Sequence, residues 1–330
     1  MKMRVDNVLK GEDCTVNESF MRFDLYNRSK NLSNRTIDYY FLEYNRFISF
    51  LKFRFNNTTT EHITDVVYIS QIDRAMVMQY IVYLQDKTHA NDVTIASYMR
   101  AIRAWLYFCM KDGMLPHFEI TIPKAEEKIK KTYTDSELIK LLKKPNLKKC
   151  SFAEYRTWVL ENYLIATGNR LNTVRNLHIS DLDFENNLIY MTTTKNRKQQ
   201  IIPMADSLKP ILQQYIQLLH HNGLTDDGYV FCNEQGKQSA QHTLESAVRR
   251  YNHNRGVNAT SMHEFRHTYA KMFITNGGGT FQLQKLLGHY DLTMTRKYVN
   301  MFSTDLQKDY NRVNPLDVLN QNNNKNMRIK

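Results

Sequence analysis

Apolar residues recur at helical spacing through most of the first 115 residues of the chain. The clearest stripe follows Ser33, a residue type that caps helix N-termini, and its members fall three or four positions apart: Ile37, Tyr40, Phe41, Tyr44, Phe47, Ile48 and Leu51. Similar spacing from position 17 to 30, from Asp73 to Asp86 and from Asp92 to Met110 predicts further helices. We therefore expect a helical domain over residues 17–115, after a flexible N-terminus of residues 1–16.

The pattern changes after this helical segment. Pro116, Pro123 and a run of charged residues are typical of an exposed linker, which we expect over residues 116–133. Thr134 and Glu137 then form the signature of a capping box ahead of an apolar helix.

The second half of the chain mixes two periodicities. A long helix is predicted from Phe152 to Ala166, and the runs LIYMTTT and IIPM predict two strands around the basic turn KNRKQQ. The predicted fold class is therefore mainly α with a small β-sheet. A helical domain is followed by an α+β domain over residues 134–319, and a polar tail covers residues 320–330.

The positive charge of the chain is unevenly distributed. The net charge is +12, with an isoelectric point near 9.3. Residues 1–130 hold 18 Lys or Arg against 16 Asp or Glu, whereas residues 131–330 hold 27 against 17. A domain with a net charge of +10 attracts polyanions, of which nucleic acid is the usual one.

Other classes of protein fit the sequence poorly. The 4 cysteines lie far apart and form no C-x-x-C pair, which argues against a thiolate zinc site and a disulfide-dense domain. The N-terminus has no apolar signal segment, and the longest apolar run, 105–110, is too short to span a bilayer. We expect a cytoplasmic protein without a membrane partner.

Two basic segments are candidate phosphate-binding sites. Arg170 ends the run Thr167-Gly168-Asn169-Arg170 and is expected to open a helix, where its guanidinium could meet a phosphate beside the positive end of the helix dipole. Lys195, Arg197 and Lys198 lie in the turn between the predicted strands. Each segment taken alone is equally compatible with ordinary solvated charge.

The segment SMHEFRHTYAKMF supports two readings. His263 and Arg266 are three positions apart, so on a helix they share a face and could meet one phosphate. The letters HEFRH also match the zinc-protease signature H-E-x-x-H, in which His263 and His267 would bind the metal and Glu264 would act as the base. His289 could supply a third ligand, and both readings stay open on this motif alone.

The segment LLGHYDLTMTRKYV carries two candidate nucleophiles, Tyr290 and Tyr298. A free tyrosine has a pKa of about 10 and is a poor nucleophile until nearby cations favour its phenolate. The two arginines, two histidines and one lysine of these motifs could supply that charge with no metal or cofactor.

Taken together, these motifs resemble those of the tyrosine site-specific recombinases, the phage integrase family that includes XerD-like resolvases and transposon integrases. The family's T-G-x-R motif matches residues 167–170, its β-turn lysine matches Lys195, and its H-x-x-R motif matches His263 and Arg266. Its later histidine follows L-L-G, as His289 does, and its nucleophile follows nine residues later, which selects Tyr298. The match covers about residues 134–315, and the N-terminal helical unit suits the family's SAM-like core-binding domain.

The resemblance implies a role for each matched residue. It makes Tyr298 the attacking group and His263 the acceptor of its proton. Two arginines and a histidine would contact the phosphate, and Lys195, with Lys198 as a rival, would protonate the leaving 5′-oxygen. The phosphate-contacting residues are Arg170, Arg266 and His289. The sequence departs from the family at Thr173, where an acidic residue is frequent.

The resemblance also implies substrates and partners. The DNA would be double-stranded with an inverted-repeat core site, cleaved through a 3′-phosphotyrosine and exchanged through a Holliday junction. The protein would be a nucleoid-associated tetramer on two sites, with an accessory directionality factor and no cofactor. Candidate DNA contacts are Arg35, Arg100, Arg103, Arg197 and Lys198. The alternatives are a DNA-binding protein of the same fold that does not cut, and a zinc hydrolase, which would leave Arg170, Lys195 and Tyr298 without roles.

Overall fold

A computed structural model describes residues 14–55, 67–124, 131–191, 199–258 and 261–288. The chain divides into two compact units, Met1–Lys128 and Ile129–Lys330. The described residues are mainly helical with one three-stranded sheet, which confirms the predicted fold class. None of the described helices combines the length and the apolar character that crossing a bilayer requires.

The described residues of the first unit form four α-helices, and each begins at a polar cap. They are α1 (Val16–Ser29), α2 (Asn34–Arg54), α3 (Arg74–Lys87) and α4 (Asp92–Lys111). Ser33 caps α2 as predicted, and Asp73 and Asn91 cap the next two helices by accepting a backbone N–H in the first turn. Thr15 and Glu18 form a capping box at α1. These local bonds explain why the helix positions could be predicted closely.

Aromatic side chains form the core of the first unit. The ring of Trp105, on α4, meets the rings of Phe20, Tyr44 and Phe47 at centroid distances of 5.6–5.9 Å, each close to perpendicular. The Tyr80 ring of α3 packs edge-on against Phe47 at 5.0 Å. Edge-to-face contacts of this kind add to the free energy of burial. One cluster therefore joins all four helices.

The segments predicted as a flexible N-terminus and an exposed linker both contain buried residues. Cys14 and Val16 are buried, and Ile69 donates a backbone hydrogen bond to Cys14, so the chain is packed from residue 14 onward. At the other end, Ile120 of the predicted linker is buried in the core of the first unit and Tyr133 in the core of the second. Single apolar side chains within a largely polar segment can therefore belong to a hydrophobic core.

In the second unit, other helices pack around one helix that is largely buried. The described residues of this unit form the helices α5 (Asp135–Leu142), α6 (Phe152–Thr167), α7 (Leu171–Arg175), α8 (Lys209–His221), α9 (Gln241–Asn254), α10 (Met262–Thr275) and α11 (Thr280–Leu287). Helix α6 packs against α5, α8, α9 and α10, and ten of its residues are buried. Thr134 and Glu137 form the predicted capping box at α5.

The sheet of the second unit is antiparallel, in the order β1 (Leu182–Asp183), β2 (Leu188–Met191) and β3 (Gln200–Pro203). Strands β2 and β3 are the predicted hairpin, with Met191 opposite Gln200 at the pair nearest the turn. The short strand β1 was not predicted. The basic turn itself, residues 192–198, lies outside the described residues.

The aromatic cluster predicts a large effect of truncating Phe47, which is fully buried. We expect Phe47→Ala to lower the free energy of unfolding of the first unit by about 3–5 kcal/mol, since it removes a buried ring and leaves a cavity. Each unit holds one of the 2 tryptophans, Trp105 and Trp158. Urea titration followed by Trp105 fluorescence in a Trp158→Phe background therefore measures the first unit alone.

Phe41→Ala is the matched control, because this ring on the same helix is 56% exposed. Its effect should stay within about 0.5 kcal/mol, as for most surface substitutions. Equal losses for the two variants would mean that the aromatic cluster does not dominate the stability of the unit.

Candidate active site in the second unit

The T-G-N-R segment forms a tight turn that buried side-chain hydrogen bonds stabilise. Gly168 ends α6 in the left-handed conformation, with φ of 63°. The Thr167 hydroxyl donates to the carbonyl of Tyr163 at 2.8 Å, and the Asn169 amide donates to the Tyr163 hydroxyl at 3.0 Å. Thr167 and Asn169 are both buried. These bonds fix the backbone that presents Arg170 at the start of α7, where it is half-buried.

A short helix follows Arg170, as predicted. Helix α7 has 5 residues, Leu171–Arg175, with Arg170 at its N-cap position. A helix this short contributes little macrodipole, so the phosphate contact of Arg170 at this helix N-terminus stays a prediction. What positions Arg170 is the buried turn before it. Thr173 lies half-buried within α7.

Helix α10 carries the H-x-x-R pair, and its two members lie in different environments. His263 is exposed in the first turn, whereas Arg266 is only 4% exposed. The Nη1 of Arg266 donates to the carbonyl of Gly168 at 2.9 Å, and its Nη2 donates to the carbonyl of Leu287 at 2.9 Å. Arg266 therefore joins the T-G-N-R turn, α10 and the end of α11.

Gly168 is required at this junction for a second reason besides its backbone angle. A Cβ atom at this position would lie 2.5 Å from Cδ1 of Tyr269 and 2.9 Å from Cδ2 of Leu287. Both distances are shorter than carbon atoms tolerate. Any side chain here would push the turn away from α10 and α11, and the bonds to Arg266 would lengthen.

The end of α11 is the third part of the site. Gly288 terminates the helix in the left-handed conformation, with φ of 62°, and the backbone then continues to His289. The carbonyl of Leu287 accepts from Arg266, and the carbonyl of Leu286 accepts from the side chain of Gln200 at 2.9 Å. Side chains from two other elements thus satisfy carbonyls that a helix end leaves without intrahelical partners.

Glu264 has a structural use that conflicts with a zinc-protease role. Its carboxylate accepts the backbone N–H of Ser261 at 3.3 Å and completes a capping box at the start of α10. A general base in H-E-x-x-H would have to face a metal between His263 and His267. Within the described ranges, no cluster of three or more His, Cys, Asp or Glu is arranged to hold a metal ion. The use of the Glu264 carboxylate in the helix cap therefore does not favour the zinc reading.

Tyr269 is the tyrosine that packs against the Gly168 turn, and its environment suits a packing role. Burial raises the pKa of Tyr269 above its usual value of 10 because the phenolate is poorly solvated there. A nucleophilic tyrosine needs the opposite shift. We therefore assign Tyr269 a packing role beside the Gly168 turn.

Three of the six predicted catalytic residues, Arg170, His263 and Arg266, lie within the described residues, and the bond from Arg266 to Gly168 connects the segments that carry them. The others, with the rival candidates, lie outside the described residues: Lys195, Arg197, Lys198, His289, Tyr290 and Tyr298. In the first unit, Arg35 and Arg100 are exposed. Arg103 is half-buried, with its guanidinium 6.0 Å from the Tyr107 ring centroid.

Sequence reasoning missed two polar residues that shape the site. Asn169 was treated only as the variable letter of T-G-x-R, yet its buried amide holds the turn. Gln200 was treated as part of a basic turn, yet it begins β3 and reaches α11. The sequence offers no signal for either contact, because a polar residue beside a turn is equally compatible with a solvated position.

Two family models match the chain. The phage integrase family matches residues 131–304, which is more than half of the chain, and the phage integrase SAM-like domain matches residues 20–129. Among curated proteins, tyrosine recombinase XerD of Staphylococcus saprophyticus is 25% identical over 307 residues, which cover 91% of this chain and 99% of the relative.

Solved structures of low identity have the same fold. The integrase of the Tn1549 transposon, in complex with a circular-intermediate DNA, aligns with a TM-score of 0.64 at 18% identity and covers 86% of this chain and 95% of its own. A lambda integrase tetramer bound to a Holliday junction aligns at 0.64 with 14% identity, covering 90% and 80%. Together with the family matches, these findings identify the chain as a member of the phage integrase family, the tyrosine site-specific recombinases.

Proposed function

We propose that this recombinase cleaves and rejoins DNA through a covalent bond between Tyr298 and a 3′-phosphate. The observation that best supports the proposal is the pair of hydrogen bonds from Arg266 to the carbonyls of Gly168 and Leu287. These bonds join the T-G-N-R turn, the H-x-x-R helix and the L-L-G helix end, which are far apart in sequence and each precede or carry a proposed catalytic residue.

The proposed reaction balances without a cofactor. The phenolic oxygen of Tyr298 attacks the phosphorus atom, and the bond from phosphorus to the 5′-oxygen breaks. His263 accepts the proton of Tyr298, and Lys195 gives a proton to the leaving 5′-oxygen. The products are a 3′-phosphotyrosine and a free 5′-hydroxyl. Attack by the 5′-hydroxyl of a second strand reverses the steps and rejoins the DNA.

Cationic and neutral donors would stabilise the charge that builds on the non-bridging oxygens. We assign this role to Arg170, Arg266 and His289. Each preorganised donor contributes roughly 10² to 10³ in rate, and a general acid roughly 10² to 10⁴. A guanidinium has five N–H donors in a rigid fork, so the two bonds of Arg266 to carbonyls fix the orientation of the group.

We infer the partners from the charge of the chain and from the DNA-bound relatives. The substrate is double-stranded DNA with an inverted-repeat core site, held by four protomers on two sites, with an accessory factor setting direction and the protein associated with the nucleoid. Phosphate attraction comes mainly from residues 131–330, with their excess of 10 positive charges, including Arg197 and Lys198. Base contacts come from the first unit, for which Arg35, Arg100 and Arg103 are candidates.

A DNA-binding protein that has kept the fold without cutting is the second candidate. The sequence argues against it, because such a protein has no need of all six residues of the catalytic set, and all six are present.

We expect Tyr298→Phe to bind DNA with unchanged affinity and to form no covalent DNA–protein product, because only the attacking oxygen is removed. Denaturing gel electrophoresis after incubation with a nicked core site measures the adduct. Tyr290→Phe is the matched control and should form it normally. An adduct with Tyr298→Phe together with none from Tyr290→Phe would transfer the nucleophile role to Tyr290.

We expect cleavage to persist after exhaustive chelation, because side chains supply the positive charge. Glu264→Gln sharpens this experiment, since glutamine also serves in a capping box. The variant should cleave within about twofold of the wild type, whereas loss of a general base would slow it by roughly 10² to 10⁴. Activity that disappears on chelation and returns only with zinc would restore the H-E-x-x-H reading.

We expect Lys195→Ala to cleave ordinary DNA at least about 10²-fold more slowly, because a sugar alkoxide leaves poorly without an acid. A substrate with sulfur at the bridging 5′ position should be cleaved at nearly the wild-type rate, since a thiolate leaves without protonation. Arg170→Ala should not be rescued, because the non-bridging oxygens still lack their partner. Rescue of Lys198→Ala in place of Lys195→Ala would move the role to Lys198.

A further inference from the structure

Gln200 connects two segments that are 86 residues apart in the chain. It is the first residue of β3, and its side-chain Nε2 donates to the carbonyls of Lys285 and Leu286, the latter at 2.9 Å. Both carbonyls belong to the last turn of α11. Lys195 lies five positions before Gln200, and His289 lies three positions after Leu286. The contact therefore joins the segment that follows Lys195 to the segment that precedes His289.

The end of a helix requires hydrogen-bond donors from outside the helix for its last carbonyls. The last carbonyls of a helix lack the full set of intrahelical partners, and the helix dipole places partial negative charge on them. In α11 the carbonyl of Lys285 accepts the N–H of Gly288 at 3.1 Å and can accept a second hydrogen bond. Gln200 satisfies two of them and Arg266 satisfies that of Leu287, so three successive carbonyls are held by side chains from β3 and α10. The side-chain Nε2 of Gln200 makes both of its hydrogen bonds.

The glycine at the end of α11 permits this arrangement. A Cβ atom on Gly288 would lie 2.6 Å from Oε1 of Gln200, too close for the amide to stay in place. Gly288 thus has two functions, because its φ of 62° ends the helix and its missing side chain leaves room for Gln200.

Gln200 is also fixed on the strand side. It pairs with Met191, which is buried, in the last pair of the β2–β3 ladder before the turn. This pair sets both ends of the turn that carries Lys195. Movement of Gln200 relative to α11 would therefore shift the base of that turn relative to the helix end that precedes His289.

We propose that Gln200 is a positioning residue for the cleavage step, which ties the Lys195 turn to the end of α11 and so aligns the leaving-group proton donor with the rest of the site. The proposal rests on the function proposed above for Lys195. It differs from ordinary bracing in one respect: loss of the contact should impair protonation of the leaving group more than it impairs the other parts of the reaction.

Gln200→Met tests the contact, because methionine has a similar length and no N–H donor. We expect cleavage of ordinary DNA to slow by about 10- to 100-fold, the effect of a small displacement of a catalytic group, with DNA affinity unchanged. Cleavage of DNA with sulfur at the bridging 5′ position should recover most of that loss. The measured quantity is the ratio of the two single-turnover rates, which does not depend on the fraction of folded protein.

Two further variants make the result specific. Gln200→Arg retains a planar pair of N–H donors for the carbonyls and should restore both rates to within a few-fold of the wild type. Gln199→Met makes the same change at the exposed neighbouring glutamine and should leave the ratio unchanged.

Equal slowing of Gln200→Met on both substrates would overturn the proposal, and so would an unchanged rate on ordinary DNA. Failure of the proposed function looks different. In that case the wild type would form no adduct, or Lys195→Ala would show no preference for the sulfur substrate, and the Gln200 proposal would fall with it.

Discussion

The arrangement of the candidate site depends on the buried guanidinium of Arg266. Arg266 holds the carbonyls of Gly168 and Leu287 with its two terminal nitrogens, both at 2.9 Å, from a position that is 4% exposed. Arginine keeps its charge when it is buried, so its hydrogen bonds to carbonyls are charge-assisted and stronger than those between neutral groups. This interaction brings the Gly168 turn close to α10 and the end of α11. Only glycine fits at position 168, because a side chain there would collide with Tyr269 and Leu287.

The same interaction explains how three distant segments can act on one phosphate. The Gly168 turn and the end of α11 provide backbone carbonyls that accept from Arg266, which α10 carries, and the end of α11 also accepts from Gln200. Side chains that start from rigid helix ends are held more accurately than side chains on long loops. The donors that hold the backbone are therefore as important to the geometry as the residues that would touch DNA.

Local features were predictable from the sequence, and the distant contacts were not. Ser33 and Thr134 could be identified as caps because each cap bonds to a residue three positions away. The partner of Arg266 is 98 residues away and is a backbone carbonyl, a group that every residue has, so no sequence pattern marks it. The short helix α7 after Arg170 is a further local feature that the sequence predicted.

The letters HEFRH show why a motif needs the surrounding structure before it implies chemistry. A helix places residues 263 and 267 on one face for zinc, and places 263 and 266 together for a phosphate, with equal ease. What separates the two readings is the use of the side chains between them. Glu264 accepts the N–H of Ser261 at the helix start, and Arg266 turns inward to the two carbonyls. The zinc reading needs Glu264 to be available and gives Arg266 no task, whereas a phosphate site needs a fixed guanidinium and is indifferent to Glu264.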